Sequence, residues 1–392
     1  MKNIFTRIAK DSFIYGFSRS INRFLTIFLV PIYTKIFSAS DYGTIELIGT
    51  TFSFFGIILS FGLSEALFFY FYKLDNNKKK KEISGTVFTT ILIINIISSF
   101  FIITFSSKIS FILFKDYEYD FLIIISGFGM VFSNLSAFLS TIFRLNKKPM
   151  LYLYASFLSI FLAIILSLYF VVFLKQGILG ALKATLISRI IVFCLSFFFS
   201  KRFIQFNFSF HYLKKLLSYG IPLVPGALSL WTMTLSNRFF INTFLDVSEV
   251  GMFSIAFKIA TALTFITFAV RMALGPIIYE IAHNSTKPND IYNEIFKWYY
   301  TLLCFFISAI TLFGIDILYI LTHPKFYDAE HVIFFLCLSS AGFGIAQMTS
   351  IGIAISKKTK YESYANLIGA AISIVLNIIF IPKYGIIGAA YT

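Results

Sequence analysis

Ser12-Phe-Ile-Tyr-Gly-Phe-Ser-Arg19-Ser-Ile-Asn22-Arg23-Phe-Leu-Thr-Ile-Phe-Leu-Val-Pro31-Ile-Tyr-Thr-Lys35-Ile-Phe-Ser-Ala-Ser-Asp41-Tyr-Gly43 decides the fold. It is an apolar run of membrane-spanning length with two arginines in its first half. An arginine inside a bilayer span is costly, so it faces a protein interior or a wet cavity rather than lipid. Arg19 and Arg23 are four residues apart and share one helix face, which Ser12, Asn22 and Thr26 extend. One cationic, hydrogen-bonding stripe on a membrane helix implies a central, positively charged space.

The whole chain has the same character. Of its 392 residues 58% are apolar and 13% charged, with 52 phenylalanines. A soluble domain carries about 25% charged residues, so the composition predicts an all-α polytopic membrane protein. The net charge of +15 does not indicate nucleic acid, because the lysines sit in short clusters between apolar runs and no basic domain or nucleic-acid motif occurs. The basic N-terminus resembles a secretory signal, but the apolar run is too long for one and carries two arginines. Cys194, Cys304 and Cys337 fall within apolar spans and are expected to be free, buried and structural. The histidines lack metal-ligand spacing.

A helical span needs about 20 apolar residues. Spans are predicted at 12–34, 45–72, 83–106, 120–143, 150–174, 178–200, 217–244, 251–279, 295–321, 331–355, 363–382 and from 385 onward. Basic residues cluster at alternate loops. Twenty lie on the side of the N-terminus and the even-numbered loops, and six on the other. That asymmetry places the N-terminus in the cytoplasm.

The chain repeats itself. Asp41-Tyr42-Gly43 after the first span matches Glu249-Val250-Gly251 after the seventh, an offset of 208. Gln176-Gly177-Ile-Leu-Gly180-Ala matches Tyr384-Gly385-Ile-Ile-Gly388-Ala at the same offset, and Lys147-Lys148 matches Lys357-Lys358 at 210. Six spans per copy is an even number, so both copies enter the membrane in the same direction, as parallel repeats. Two six-helix bundles are expected, 1–210 and 211–392, around a central cavity. The sixth span ends near Ser200, so its partner is expected to run past Thr392, and the sequence is expected to be incomplete at its C-terminus.

Three stretches resemble the oligosaccharide flippase (polysaccharide transporter) family, whose superfamily also holds lipid II flippases and multidrug and toxic compound exporters. They are Arg23 through Lys35-Ile-Phe-Ser-Ala-Ser-Asp41-Tyr-Gly43, Ser236-Asn237-Arg238-Phe-Phe-Ile through Glu249-Val-Gly-Met-Phe-Ser-Ile-Ala256, and the Gly-Ile-x-Gly-Ala motifs. Asn237 stands where the family usually has Asp, and Lys35 where it has Arg. The resemblance covers essentially the whole chain. It implies a pair of bundles around a cationic cavity in the bacterial cytoplasmic membrane. It also implies a cargo of undecaprenyl-pyrophosphate-linked oligosaccharide for O-antigen or capsule, with polymerase machinery as a further partner. No enzyme activity and no cofactor are expected, beyond coupling to H+ or Na+.

The residues agree with this chemistry, because arginine binds phosphate oxygens bidentately. The candidates for substrate binding are Arg19, Asn22, Arg23, Glu65, Arg238, Asn242 and Arg271. Arg19 and Arg23 could instead be tied to backbone carbonyls of a neighbouring helix. Arg238 shares a stripe with Thr234 and Asn242, or else snorkels to the outer interface. Arg271 shares a face with Thr264 and Thr267, or else marks a cytoplasmic helix end. Glu65 is expected to pair with an arginine, with proton coupling as the other reading. Lys183 and Lys258 are expected to snorkel, and Arg189 is a weaker cavity candidate. The stripe Glu46, Gly49, Ser53, Gly56, Ser60 reads as close helix packing. Pro31, Pro222, Pro225 and Pro276 could bend their spans. In-span arginines outnumber in-span acids, against an exporter of organic cations. A lipid II flippase stays open, and no acidic catalytic cluster supports a glycosyltransferase or polymerase.

Overall fold

The computed structural model describes residues 27–271, 288–356 and 360–392. In lipid, backbone amides and carbonyls find partners only within their own segment or a closed barrel. The apolar runs accordingly close into helices, and the described residues contain no strand. In the first copy, α1 is Leu29–Ile36, α2 Ala39–Ser60, α3 Leu63–Phe71, α4 Asn77–Phe114, α5 Asp120–Leu145, α6 Pro149–Ser167 and α7 Gly177–Ser200. In the second, α8 is Phe210–Gly220, α9 Val224–Leu235, α10 Asn237–Phe244 and α11 Val247–Ala260. There follow α12 at 263–271, α13 Pro288–Leu312, α14 Gly314–Leu321, α15 Glu330–Ile355 and α16 Lys360–Tyr391. Ten helices among the described residues are long and apolar enough to cross a membrane. Large apolar side chains such as Phe100, Phe173, Leu312 and Ile320 stand out from them. The chain is a multi-pass membrane protein.

The repeat is visible residue by residue. Helices α1 and α10 start and end 208 residues apart, and so do the starts of α2 and α11. The acidic landmarks mark helix starts: Asp41 takes part in a cap, and Glu249 lies in the first turn behind the cap residue Asp246. Ser38 and Asp41 bond reciprocally at the start of α2: the Ser38 N–H donates to Asp41 Oδ2 at 2.9 Å, and the Asp41 N–H donates to Ser38 Oγ at 3.1 Å. At the equivalent place Asp246 Oδ1 accepts from the N–H groups of Ser248 and Glu249. Each caps amides that have no partner within the helix. Gly177 and Gly385 both turn with positive φ, 58° and 61°. Gly385 breaks α16 into two helices, at the expected boundary between the eleventh and twelfth spans.

Contacts divide the chain into two compact units. One is Thr44–Ser236, and the other joins the described parts of Met1–Gly43 and Asn237–Thr392. These units are not the two sequence copies, because the end of the first span packs on second-copy helices. A Cβ on Gly43 would stand 1.8 Å from the Val247 carbonyl oxygen, and one on Gly251 would stand 2.1 Å from that of Ala39. The pairs 39 with 251 and 43 with 247 are reciprocal, so the two copies cross through equivalent residues. Only residues without a side chain allow backbones this close. Lys325 Nζ donates to the Phe37 carbonyl at 2.9 Å, placing a cation at the C-terminus of α1.

Within Thr44–Ser236 the core is apolar, with Leu63, Leu67, Ile91, Phe138, Leu139 and Leu216 buried together. The expected second span is broken at Phe61 and Gly62, with φ 46° and 62°. The expected seventh is broken by a 3₁₀ turn, Ile221–Leu223, that contains Pro222. The two breaks abut. A Cβ on Gly62 would meet the Gly220 carbonyl oxygen at 2.3 Å, and one on Gly220 would meet that of Phe61 at 2.4 Å. Trp231 Nε1 donates to Ser53 Oγ at 2.8 Å and Gly56 packs on Met130 and Asn134, as the packing reading of that stripe expected; Gly49 faces open space.

One expectation is corrected. Cys337 is buried, but Cys194 and Cys304 are exposed. A free thiol behaves as a small apolar group, so on a membrane helix it can face outward as readily as inward.

Candidate functional site

The expected candidates fall into three sets. Arg19, Asn22 and Arg23 lie outside the described residues, as does Pro276. Glu65 is exposed in the first turn of α3, where a carboxylate suits the positive end of the helix. Of the arginines it could pair with, Arg19 and Arg23 lie outside the described residues. The remaining candidates belong to the unit formed by the described parts of Met1–Gly43 and Asn237–Thr392.

Arg238 neither snorkels nor stands open. It is 2% exposed, and its Nε donates to Ser254 Oγ at 3.2 Å. Its guanidinium lies 4.9 Å from the ring centroid of Phe257. A delocalised cation over an aromatic face, desolvated and hydrogen-bonded, is a packed arginine. Asn237 contributes its Oδ1 to Arg238 at 3.5 Å, a neutral neighbour where the family more often has a carboxylate. Asn242 is half-buried on the same helix. Thr234 donates back to the Leu230 carbonyl. Lys258 does not snorkel either: its Nζ donates to the Tyr42 hydroxyl at 2.6 Å, over that ring. Lys183, nearer its helix end, donates to Gln176 Oε1.

Arg271 heads a polar junction of three helices. Its Nη1 donates to Gln347 Oε1 on α15. One turn back on α12, Thr267 Oγ1 bonds the hydroxyl of Tyr299 on α13 at 2.8 Å. Tyr299 is 1% exposed and Thr267 4%. Gly344 makes room for this pair, since a Cβ there would stand 2.5 Å from each oxygen. The guanidinium is half-buried and keeps further N–H donors beyond the one given to Gln347. An arginine fixed in this way can take a second, anionic acceptor.

The first copy has none of this. At the 208 offset Arg271 and Tyr299 correspond to Leu63 and Ile91, both buried in the apolar core of the other unit. Helices α5 and α15 start and end 210 residues apart, so Gln347 corresponds to Ala137, which is exposed. Arg238 likewise corresponds to Val30, which is 3% exposed. The same scaffold position is therefore greasy in one copy and polar in the other. Fold stability does not require polarity there, since the first copy is built without it. The junction is a departure from the repeat, and buried polar departures of this kind are candidates for function. Tyr299, Gln347 and Gly344 are absent from the sequence candidates. Among the described residues no cluster of histidine, cysteine or carboxylate could hold a metal ion.

Comparison with known proteins agrees with this architecture. The fold is that of a lipid II flippase, MurJ, in an inward closed conformation, with a TM-score of 0.80 over 96% of this chain and 83% of that one, at 19% identity. It is also that of a multidrug resistance transporter of the MATE family and MOP superfamily, inward-facing, with a TM-score of 0.71 over 97% and 90%, at 17% identity. In sequence, an uncharacterized membrane protein of Methanocaldococcus jannaschii is 29% identical over 196 residues. That match takes in 47% of this chain and 37% of the relative's length. The sequence profile of a family described as polysaccharide biosynthesis protein matches residues 32–321, and the chain belongs to that family.

Proposed function

We propose that this protein is a flippase. It carries an undecaprenyl-pyrophosphate-linked oligosaccharide repeat unit from the cytoplasmic to the outer leaflet of the bacterial cytoplasmic membrane, for O-antigen or capsule. Its N-terminus lies in the cytoplasm, as the basic loops favour. The observation that carries the proposal is the polar junction around Arg271, in a chain of the polysaccharide biosynthesis family. A cation held at a position where the other copy is apolar suits a headgroup with two phosphates. The two six-span copies, 1–210 and 211–392, would rock to expose the site to each side in turn, with H+ or Na+ as the coupling ion. The prenyl tail stays in lipid throughout. Transport of lipid II, which also carries a pyrophosphate, is the second reading, favoured by the likeness in fold to the lipid II flippase.

The test is mass spectrometry of lipid-linked saccharides in a strain lacking the protein, with an outer-leaflet accessibility probe. Accumulation of a complete repeat unit on the cytoplasmic side supports the proposal, and accumulation of lipid II selects the second reading. Restoring Arg271→Gln in place of the native protein should leave the accumulation uncorrected. Truncated or unpolymerised glycans already outside would place the protein in synthesis or polymerisation and overturn the proposal.

A further inference from the structure

The connector between the two copies is a pinned backbone that carries exposed aromatic and basic side chains. It runs from the end of one candidate membrane span, Gly177–Phe203, to the start of the next, Phe210–Leu235, so it lies at the membrane surface. Its backbone is tied to α4. The Gln205 N–H donates to the Lys81 carbonyl at 3.1 Å, and the Ser209 N–H donates to the Thr86 hydroxyl at 3.2 Å. A Cβ on Gly85 would stand 1.7 Å from the Gln205 carbonyl oxygen, so only glycine lets the connector lie this close. Ile204 is buried as an anchor, whereas Phe206, Phe208 and Phe210 are between 49% and 73% exposed. Phe198 and Phe199 stand out from the end of α7 beside them. The stretches 78–86 and 198–215 together hold eight cations and one carboxylate, Glu82. Among the described residues none of those cationic side chains gives a hydrogen bond or an ion pair. Lys201 and Arg202 lie over the rings of Phe198 and Phe203, at 4.6 and 4.8 Å from their centroids.

We propose that this connector is a docking surface for anionic phospholipid in the leaflet it faces. The phenylalanines enter the boundary between headgroups and acyl chains, and the lysines and Arg202 take the headgroup phosphates. The general bias of basic loops accounts for charge at this end of the spans. It does not account for phenylalanines left outside on a backbone fixed to α4. An eight-to-one excess of cations selects anionic over zwitterionic lipid, because each cation adds to the attraction. An acidic protein would satisfy the charge but not the phenylalanines, which stand where two spans end. The connector leads from α7 into α8, so bound headgroups would hold the start of the second copy against α4. The surface is independent of the flippase reading, since lipid docks there whatever the cargo.

The test is native mass spectrometry of the full chain from micelles doped equally with phosphatidylglycerol and phosphatidylcholine. The native chain should retain about threefold more phosphatidylglycerol. The variant Lys201→Gln/Arg202→Gln/Lys214→Gln/Lys215→Gln should lose that excess. The variant Lys108→Gln/Lys115→Gln/Lys175→Gln, which removes cations from the other end of the same spans, should keep it. Phe208→Ser/Phe210→Ser, with every cation in place, should also lower it. A readout that needs no variant is trypsin cleavage of the native chain in nanodiscs. Cutting after Lys201 and Arg202, relative to cutting after Lys115, should be about threefold slower in phosphatidylglycerol than in phosphatidylcholine. Equal retention of the two lipids by the native chain would overturn the proposal and leave the face to an acidic protein. It is overturned equally if the connector variants keep the excess, if the control variant loses it, or if cleavage ignores the headgroup.

Discussion

Alanine at Gly43 and at Gly49 should move stability in opposite directions, although both lie on α2. At Gly43 the new Cβ would stand 1.8 Å from the Val247 carbonyl oxygen, where real Cβ contacts essentially never fall below 3.0 Å. The obstacle is backbone, so the helices must part by about 1.2 Å. Overpacking of this kind costs about 1–3 kcal/mol, and a rigid obstacle puts Gly43 at the upper end. The better helix propensity of alanine returns up to about 1 kcal/mol. The net loss is then about 2 kcal/mol. Nothing lies within 4 Å of the Cβ position at Gly49, so Gly49→Ala keeps only the gain. The two variants should differ by about 3 kcal/mol. Gly251→Ala clashes with the Ala39 carbonyl at 2.1 Å and forces open the same crossing. The double variant Gly43→Ala/Gly251→Ala should therefore lose clearly less than the sum of the singles. Reversible unfolding in mixed micelles titrated with SDS measures all four. The reasoning is refuted if Gly43→Ala shifts the midpoint as Gly49→Ala does, or if the double is additive.

Other expectations follow from the junction, the caps and the thiols. Tyr299→Phe removes the 2.8 Å bond to Thr267 and should cost about 1 kcal/mol in the same unfolding assay. Gln347→Leu should leave folding near native but fail to restore glycan export, since it frees the guanidinium it orients. Asp246→Ala should lose about 1 kcal/mol through the cap of α11, and Ser38→Ala a similar amount at α2. Burial acts to raise the Asp246 carboxyl, but bonds from the Ser248 hydroxyl and the backbone N–H groups of Glu249 and Ser248 outweigh it and hold it below its ordinary value of 3.8. Its contribution is therefore complete above that value and fades as pH falls through the lower folded value, which unfolding of Asp246→Ala against native protein at pH 3 and pH 7 would register. N-ethylmaleimide in detergent should modify Cys194 and Cys304 and spare buried Cys337 until the protein is unfolded, as counted by intact mass.

Much of this fold is legible in the chain because lipid leaves so few options. Apolar runs of about 20 residues must be helices, and matched landmarks 208 residues apart gave the duplication. The landmarks were legible before their purpose was. Asp41 and Glu249 recur because each begins a helix at the same place, and Gly43 and Gly251 because two backbones touch there. The breaks were only half legible. Pro222 announces the one in the seventh span, but Phe61 and Gly62 give no such sign, since their bend answers to Gly220 on another helix. The site was legible as cations and not as a site. Arg271 could be read from the sequence, whereas Tyr299 and Gln347 are ordinary residues until packing brings them to Thr267 and Arg271. Lys258 was misjudged because depth suggests snorkelling, while a tyrosine 216 residues away supplies a nearer partner.

The apolar counterpart of the junction bears on what each copy can hold. A duplicated scaffold with matching side chains would offer a charged group two equivalent places. Leu63 and Ile91, which answer Arg271 and Tyr299, are instead sealed in an apolar core. The unit Thr44–Ser236 therefore has no charged cluster at that place, and a frame built twice carries this polar junction once.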